Sequence, residues 1–112
     1  MSTVGDFRLI QLQPGKRAEY LRLLQPLLRQ VEAEAGTLIY LLHTDRDQPD
    51  TLWLYARFRD HAALETHRST PVFAEVTRQI RPLEVAVEAL DVQLVGNKGV
   101  PFEPRGMRDL RE

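Results

Sequence analysis

Apolar and polar residues alternate from Thr51 to Arg59, with Leu52, Leu54, Ala56 and Phe58 on one side and Trp53, Tyr55 and Arg57 on the other. That period of two predicts a strand. At Asp60 the spacing changes. Asp60 is suited to cap a helix, and Ala62, Ala63 and Leu64 are strong helix formers. Ser69-Thr70-Pro71 then predicts a break. Pro71 donates no backbone hydrogen bond and disfavours helical geometry at Thr70, so Thr70 can cap a second piece carrying Val72, Phe73, Val76 and Ile80 as a stripe.

The remaining segments follow the same logic. Phe7–Leu12 predicts a first strand, with Ile10 and Leu12 opposite Phe7, Leu9 and Gln11. Pro14-Gly15 ends it and opens a long helix up to Ala35, with Tyr20, Leu24, Leu27, Leu28 and Val31 inward, a bend at Pro26 and Gly36 as the C-terminal cap residue. Thr37–His43 predicts a second strand. A hairpin centred near Asp47 would pair Tyr40 with Leu54 and Leu38 with Ala56. Val85–Val95 predicts the fourth strand, and Gly96–Glu112, rich in Gly, Pro and charge, an extended arm or tail after a domain at 1–95.

Strand, helix, strand, strand, helix, strand is the ferredoxin-like βαββαβ order of an α+β protein, an antiparallel sheet with its helices on one face. The opposite face would carry Ile39, Leu41, Trp53 and Tyr55, more apolar surface than a monomer leaves in water. A two-fold homodimer burying one sheet against another is the expected solution, with Trp53 and Tyr55 as anchors.

Composition narrows the function. Fifteen Lys+Arg against 16 Asp+Glu among 112 residues argue against a nucleic-acid binder. With no cysteine, thiolate metal sites and thiol nucleophiles are excluded. The longest apolar run, Leu38–Leu42, is too short for a membrane span or a signal core, so a cytoplasmic protein is expected. His67 is the titratable residue of interest, because it shares a helix face with Ala63 and Leu64 just before the break. It is either an acid–base group or a buried structural histidine. His61 and Glu65 are four apart but lack a third ligand, so no metal site is expected. His43 is expected in solvent or near the dimer contact, and Arg57 and Arg59 at a solvated edge.

Several ordered features resemble the antibiotic biosynthesis monooxygenase family of dimeric α+β barrels. They are Pro14-Gly15-Lys16, Glu34-Ala35-Gly36, Tyr40, Leu54 to Asp60, Ala62-Ala63-Leu64, His67 and Ser69 to Phe73, spread over about residues 5 to 95. The resemblance implies a cofactor-free monooxygenase acting on a small phenol- or quinol-like aromatic with dioxygen. Deprotonation would give a phenolate able to pass an electron to dioxygen without flavin or metal. His67 would be the acid–base group and Tyr40 would hold a substrate oxygen, in a pocket lined by Leu54, Phe58, Leu64 and Phe73. The competing reading of Tyr40, and the one its residue type favours, is a core tyrosine whose hydroxyl reaches a backbone carbonyl.

The chain departs from the family in two places. Ala56 stands where many relatives have glutamate, removing a possible partner for His67, and Phe58 stands where they have tryptophan. The haem-degrading branch would place its ligating histidine at Thr77 and a tryptophan at His67, and neither is present. The competing functions are a non-catalytic dimeric ligand-binding or assembly domain and an isomerase on the same scaffold.

Overall fold

A computed structural model describes residues 3–96. Residues 97–112, most of the expected C-terminal arm, lie outside the described residues. Strand β1 (Val4–Leu12) leads to helix α1 (Arg17–Ala33), then β2 (Thr37–Thr44), β3 (Thr51–Phe58), α2 (His61–Arg68), α3 (Pro71–Ile80), a short 3-10 turn and β4 (Glu84–Val92). The four strands form one antiparallel sheet in the order β2-β3-β1-β4. The ferredoxin-like α+β arrangement is therefore present, with β1 and β3 central.

The local signals around the helix break act as their chemistry dictates. The Asp60 carboxylate accepts from the Ala63 amide at 2.8 Å, and the Thr70 hydroxyl accepts from the Phe73 amide at 3.1 Å. Each cap satisfies one of the orphan donors of a helix start. Helix α1 continues through the exposed Pro26 and buries Tyr20, Leu24 and Leu27.

Four expectations are corrected. First, Tyr40 pairs with Ala56 and Leu42 with Leu54, while an irregularity between Thr37 and Ile39 leaves Leu38 without a partner. The turn explains the shift. Asp45 accepts from the amides of Asp47 and Gln48, and β2 runs on to Thr44, moving the hairpin centre toward Gln48. Moving the centre by one residue changes each partner by two, so the expected faces survive.

Second, Gly36 is not a left-handed helix cap. Gly15 has the one positive φ among the described residues, and α1 ends at Glu34 in extended geometry. Gly36 instead permits close approach: a Cβ there would lie 2.5 Å from the Cβ of Ala63. Third, Arg57 is not at a solvated edge but is 1% exposed. It donates to the Tyr55 hydroxyl at 2.7 Å and the Thr3 hydroxyl at 2.6 Å, over a Gly5 whose missing side chain makes the space. Fourth, the first and last strands differ from the expected spans at their ends. β1 starts at Val4, and β4 occupies Glu84–Val92.

Two buried clusters fill the space between helices and sheet. Ile10, Leu12, Tyr20, Leu24, Leu27, Leu52, Leu54, Val76 and Ile80 make the larger, and Ala56, Phe58, Ala63 and Leu64 the smaller. Tyr40 packs against both. The other sheet face leaves Leu41 46% and Leu90 59% exposed, beside Phe7, whose ring lies 6.0 Å from those of Trp53 and Tyr55.

Gly36 gives a direct test of how tightly α2 is held. Gly36→Ala should lower unfolding stability by about 1–3 kcal/mol, the usual cost of forcing a methyl into a packed contact. Chemical denaturation measures it, and a midpoint equal to that of the parent would show that α2 can move away freely.

Candidate functional site

His67 is held where α1, β2 and α2 meet. The Ala63–Leu64–His67 face of α2 turns inward, leaving His67 4% exposed. Its ring centroid lies 5.6 Å from that of Tyr40 and 5.2 Å from those of Phe58 and Phe73. Three aromatic side chains from β2, β3 and α3 thus surround one imidazole.

Its partner is Glu34, which approaches Nδ1 at 2.9 Å through Oε1. Glu34 also accepts from the Thr37 hydroxyl at 2.6 Å and the Gln30 amide at 2.7 Å. Partial burial acts to raise the Glu34 pKa, but the bonds from Thr37, His67 and Gln30 outweigh it and hold the carboxyl below its ordinary value. An ionised carboxylate only accepts, so His67 carries its hydrogen on Nδ1. In neutral His67 the free lone pair is then on Nε2. The Gln30 amide also bonds the Thr70 hydroxyl at 2.9 Å, tying this group to the cap of α3.

Glu34 was not singled out as a site residue from sequence. Ala56 is small and buried, and the carboxylate beside His67 comes from Glu34 at the C-terminal cap of α1. One signal could have found it. A glutamate at the end of a helix opposes the helix dipole and needs donors nearby.

The histidine lines a cavity of about 430 Å³ between helices and sheet. Tyr40, Leu54, Phe58 and Phe73 line it as expected, but Leu64 does not. Leu64 is spent on the smaller core cluster with Ala56, Phe58 and Ala63. The volume falls within the roughly 300–1,000 Å³ of small-molecule sites, and about 150 Å³ suffices to hold benzene.

Burial pushes the Tyr40 phenol up to about 12, with Arg8 opposing and Asp6 and Glu34 reinforcing the shift. Tyr40 therefore stays protonated near neutrality and can donate. Its hydroxyl has no hydrogen bond to another described residue, so the backbone-carbonyl alternative is not what the structure places there. Tyr20 is different. Its hydroxyl donates to Glu84 at 2.7 Å, and burial first, then that bond, push its pKa up.

The other histidines remain outside the site. His43 is exposed, and His61 meets Glu65 at 3.5 Å on an open surface. Among the described residues no group of three or more His, Asp or Glu side chains is arranged to hold a metal ion. Among them, too, no helix is long and apolar enough to cross a membrane.

Comparison with known proteins adds the family. The model of the antibiotic biosynthesis monooxygenase family matches residues 7–79. The fold is similar to that of PA3566 from Pseudomonas aeruginosa, with a TM-score of 0.78 and 29% identity over 86% of this chain and 97% of that one. Rv0793 from Mycobacterium tuberculosis gives a TM-score of 0.78 and 25% identity over 86% and 98%. A Synechocystis protein, sll1783, is 25% identical in an alignment that covers 70% of this chain but only 56% of that relative.

The ionised state of Glu34 has a pH signature. Its folded pKa lies below the ordinary 4.5, so its contribution to stability is present above that value and is lost as the pH falls through the folded value. The stability difference between the parent and Glu34→Gln should be widest near neutrality and shrink under acid. Urea unfolding from pH 7 downward checks this, and a difference independent of pH would contradict an ionised Glu34.

Proposed function

The chain belongs to the antibiotic biosynthesis monooxygenase family, and from that premise we propose that it is a cytoplasmic, cofactor-independent monooxygenase of a small phenol- or quinol-like aromatic. The observation that carries this reading is the Glu34–His67 pair at 2.9 Å beside an aromatic-walled cavity. A base is useful only if one nitrogen is fixed and the other free, and Glu34 fixes Nδ1.

In the proposed reaction Nε2 of His67 takes the hydroxyl proton of the bound phenol. The Tyr40 hydroxyl donates a hydrogen bond to the resulting oxyanion. The electron-rich ring passes an electron to dioxygen, and the radical pair recombines to a carbon–oxygen bond. Cleavage of the oxygen–oxygen bond then leaves one atom as a new quinone carbonyl, while the other departs as water with the two hydrogens lost from the phenol. Dioxygen is the only oxidant the balance requires. Leu54, Phe58 and Phe73 wall the ring and exclude water.

His67→Ala should keep the fold and lower oxygen consumption with quinol substrates by about 10²–10⁴-fold, the usual contribution of a positioned base. Unchanged turnover across a substrate panel would remove His67 from the mechanism and favour the non-catalytic binding domain or the isomerase.

We also propose that residues 1–95 form the working unit and that it pairs as a homodimer through Ile39, Leu41, Trp53 and Tyr55. Phe7 and Leu90 extend that apolar face. Trp53→Glu should yield monomers or aggregates in sedimentation experiments. A soluble dimer of unchanged size would refute this interface.

A further inference from the structure

The cavity has a second, charged end. On β1, Asp6 and Arg8 occupy the same sheet side as the buried Ile10, where an apolar alternation would place hydrophobic residues. Asp6 is 5% exposed and accepts from Arg8 Nε at 3.0 Å and from Arg68 Nη2 at 3.5 Å. That leaves both terminal nitrogens of Arg8 without a protein acceptor among the described residues. Arg81, also in the lining, has no ion pair or hydrogen-bond partner there either. Glu84 bonds neither arginine; its Oε2 accepts from the Tyr20 hydroxyl at 2.7 Å.

Charge counting points the same way. Arg8, Arg68 and Arg81 face Asp6 and Glu84 around this part of the cavity, three cations against two carboxylates, a surplus of one positive charge. Arg8 reaches far enough inward to oppose the upward shift of both Tyr20 and Tyr40. Its cross-strand neighbour on β4 is the small Ala89, which leaves its fork uncovered. A guanidinium with one edge paired and one edge free is shaped to receive a carboxylate through two parallel bonds.

We propose that the ligand of this cavity is an aromatic monocarboxylic acid, its ring among Tyr40, Phe58 and Phe73 and its carboxylate on the free edge of Arg8, with Arg81 as a second cation. Asp6 is the positioning residue: it holds Arg8 by Nε and so aims the fork. This rests on the cavity being the substrate site of the reaction above, and not on oxygenation itself.

Calorimetric titration of the full chain with 6-hydroxy-2-naphthoate, its methyl ester and 2-naphthyl phosphate tests it. The acid should bind about tenfold or more tightly than the ester, and added salt should reduce the difference. Arg8→Met should remove that preference while changing ester affinity no more than about twofold. Arg78→Met, at an exposed pair with Glu75, should leave it intact. If Arg8→Met fails to fold, Arg81→Met should still weaken the acid selectively.

Equal affinity for acid and ester, no binding of either, or a preference that survives both cavity substitutions overturns the proposal. Tighter binding of the doubly charged phosphate overturns the single-charge match. Turnover is a separate readout. Preference for the acid with no oxygen consumption by any substrate refutes the oxygenase reading alone, whereas turnover of neutral quinols with no acid preference refutes the acid ligand alone.

Discussion

The bond between Glu34 and His67 ties the C-terminal end of α1 to the inward face of α2. Glu34 stands where α1 ends, Thr37 opens β2, His67 closes the inward face of α2, and Thr70 caps α3. Gln30 and Glu34 link all four through hydrogen bonds of 2.6 to 2.9 Å. A partly buried polar network of this kind is stabilising only when its members are mutually satisfied. Here the satisfied carboxylate also decides which nitrogen of His67 carries hydrogen. Structure and chemistry therefore depend on the same contact.

The cavity follows from how the helices divide the sheet. Helix α1 and α3 cover the larger cluster, α2 covers the smaller, and Tyr40 belongs to both. Space remains between them because Tyr40, Phe58 and Phe73 surround His67 rather than close on one another. The smallness of Gly36 and Ala63 brings α2 near the sheet and carries His67 with it. Meanwhile, the polar Asp6 and Arg8 keep the far end of the same space from collapsing into an ordinary core.

The opposite sheet face obeys another constraint. Helices cannot reach it, and its aromatic residues stay partly open. Arg57 lies on that side yet is buried, its charge held by two hydroxyls and the face of Tyr55, with its guanidinium carbon 5.6 Å from the ring centroid. A strand position that alternation assigns to the outer side need not be solvated when a neighbouring glycine makes room.

The order of elements, both caps around the α2–α3 break and the division of the sheet into two faces were legible in the sequence. Each depends on local chemistry: a two-residue period, a carboxylate or hydroxyl before a helix, a proline without an amide hydrogen. His67 and most of its aromatic surroundings were legible for the same reason, since helical and strand periods place them inward. Glu34, the free fork of Arg8 and the burial of Arg57 were not. Glu34 is 33 residues from His67, and Arg68 is 62 from Asp6, so their pairing exists only once the helices are seated on the sheet. Leu64 shows the same limit in reverse: periodicity could place it inside, but only packing decided that it would fill the smaller core rather than face the cavity.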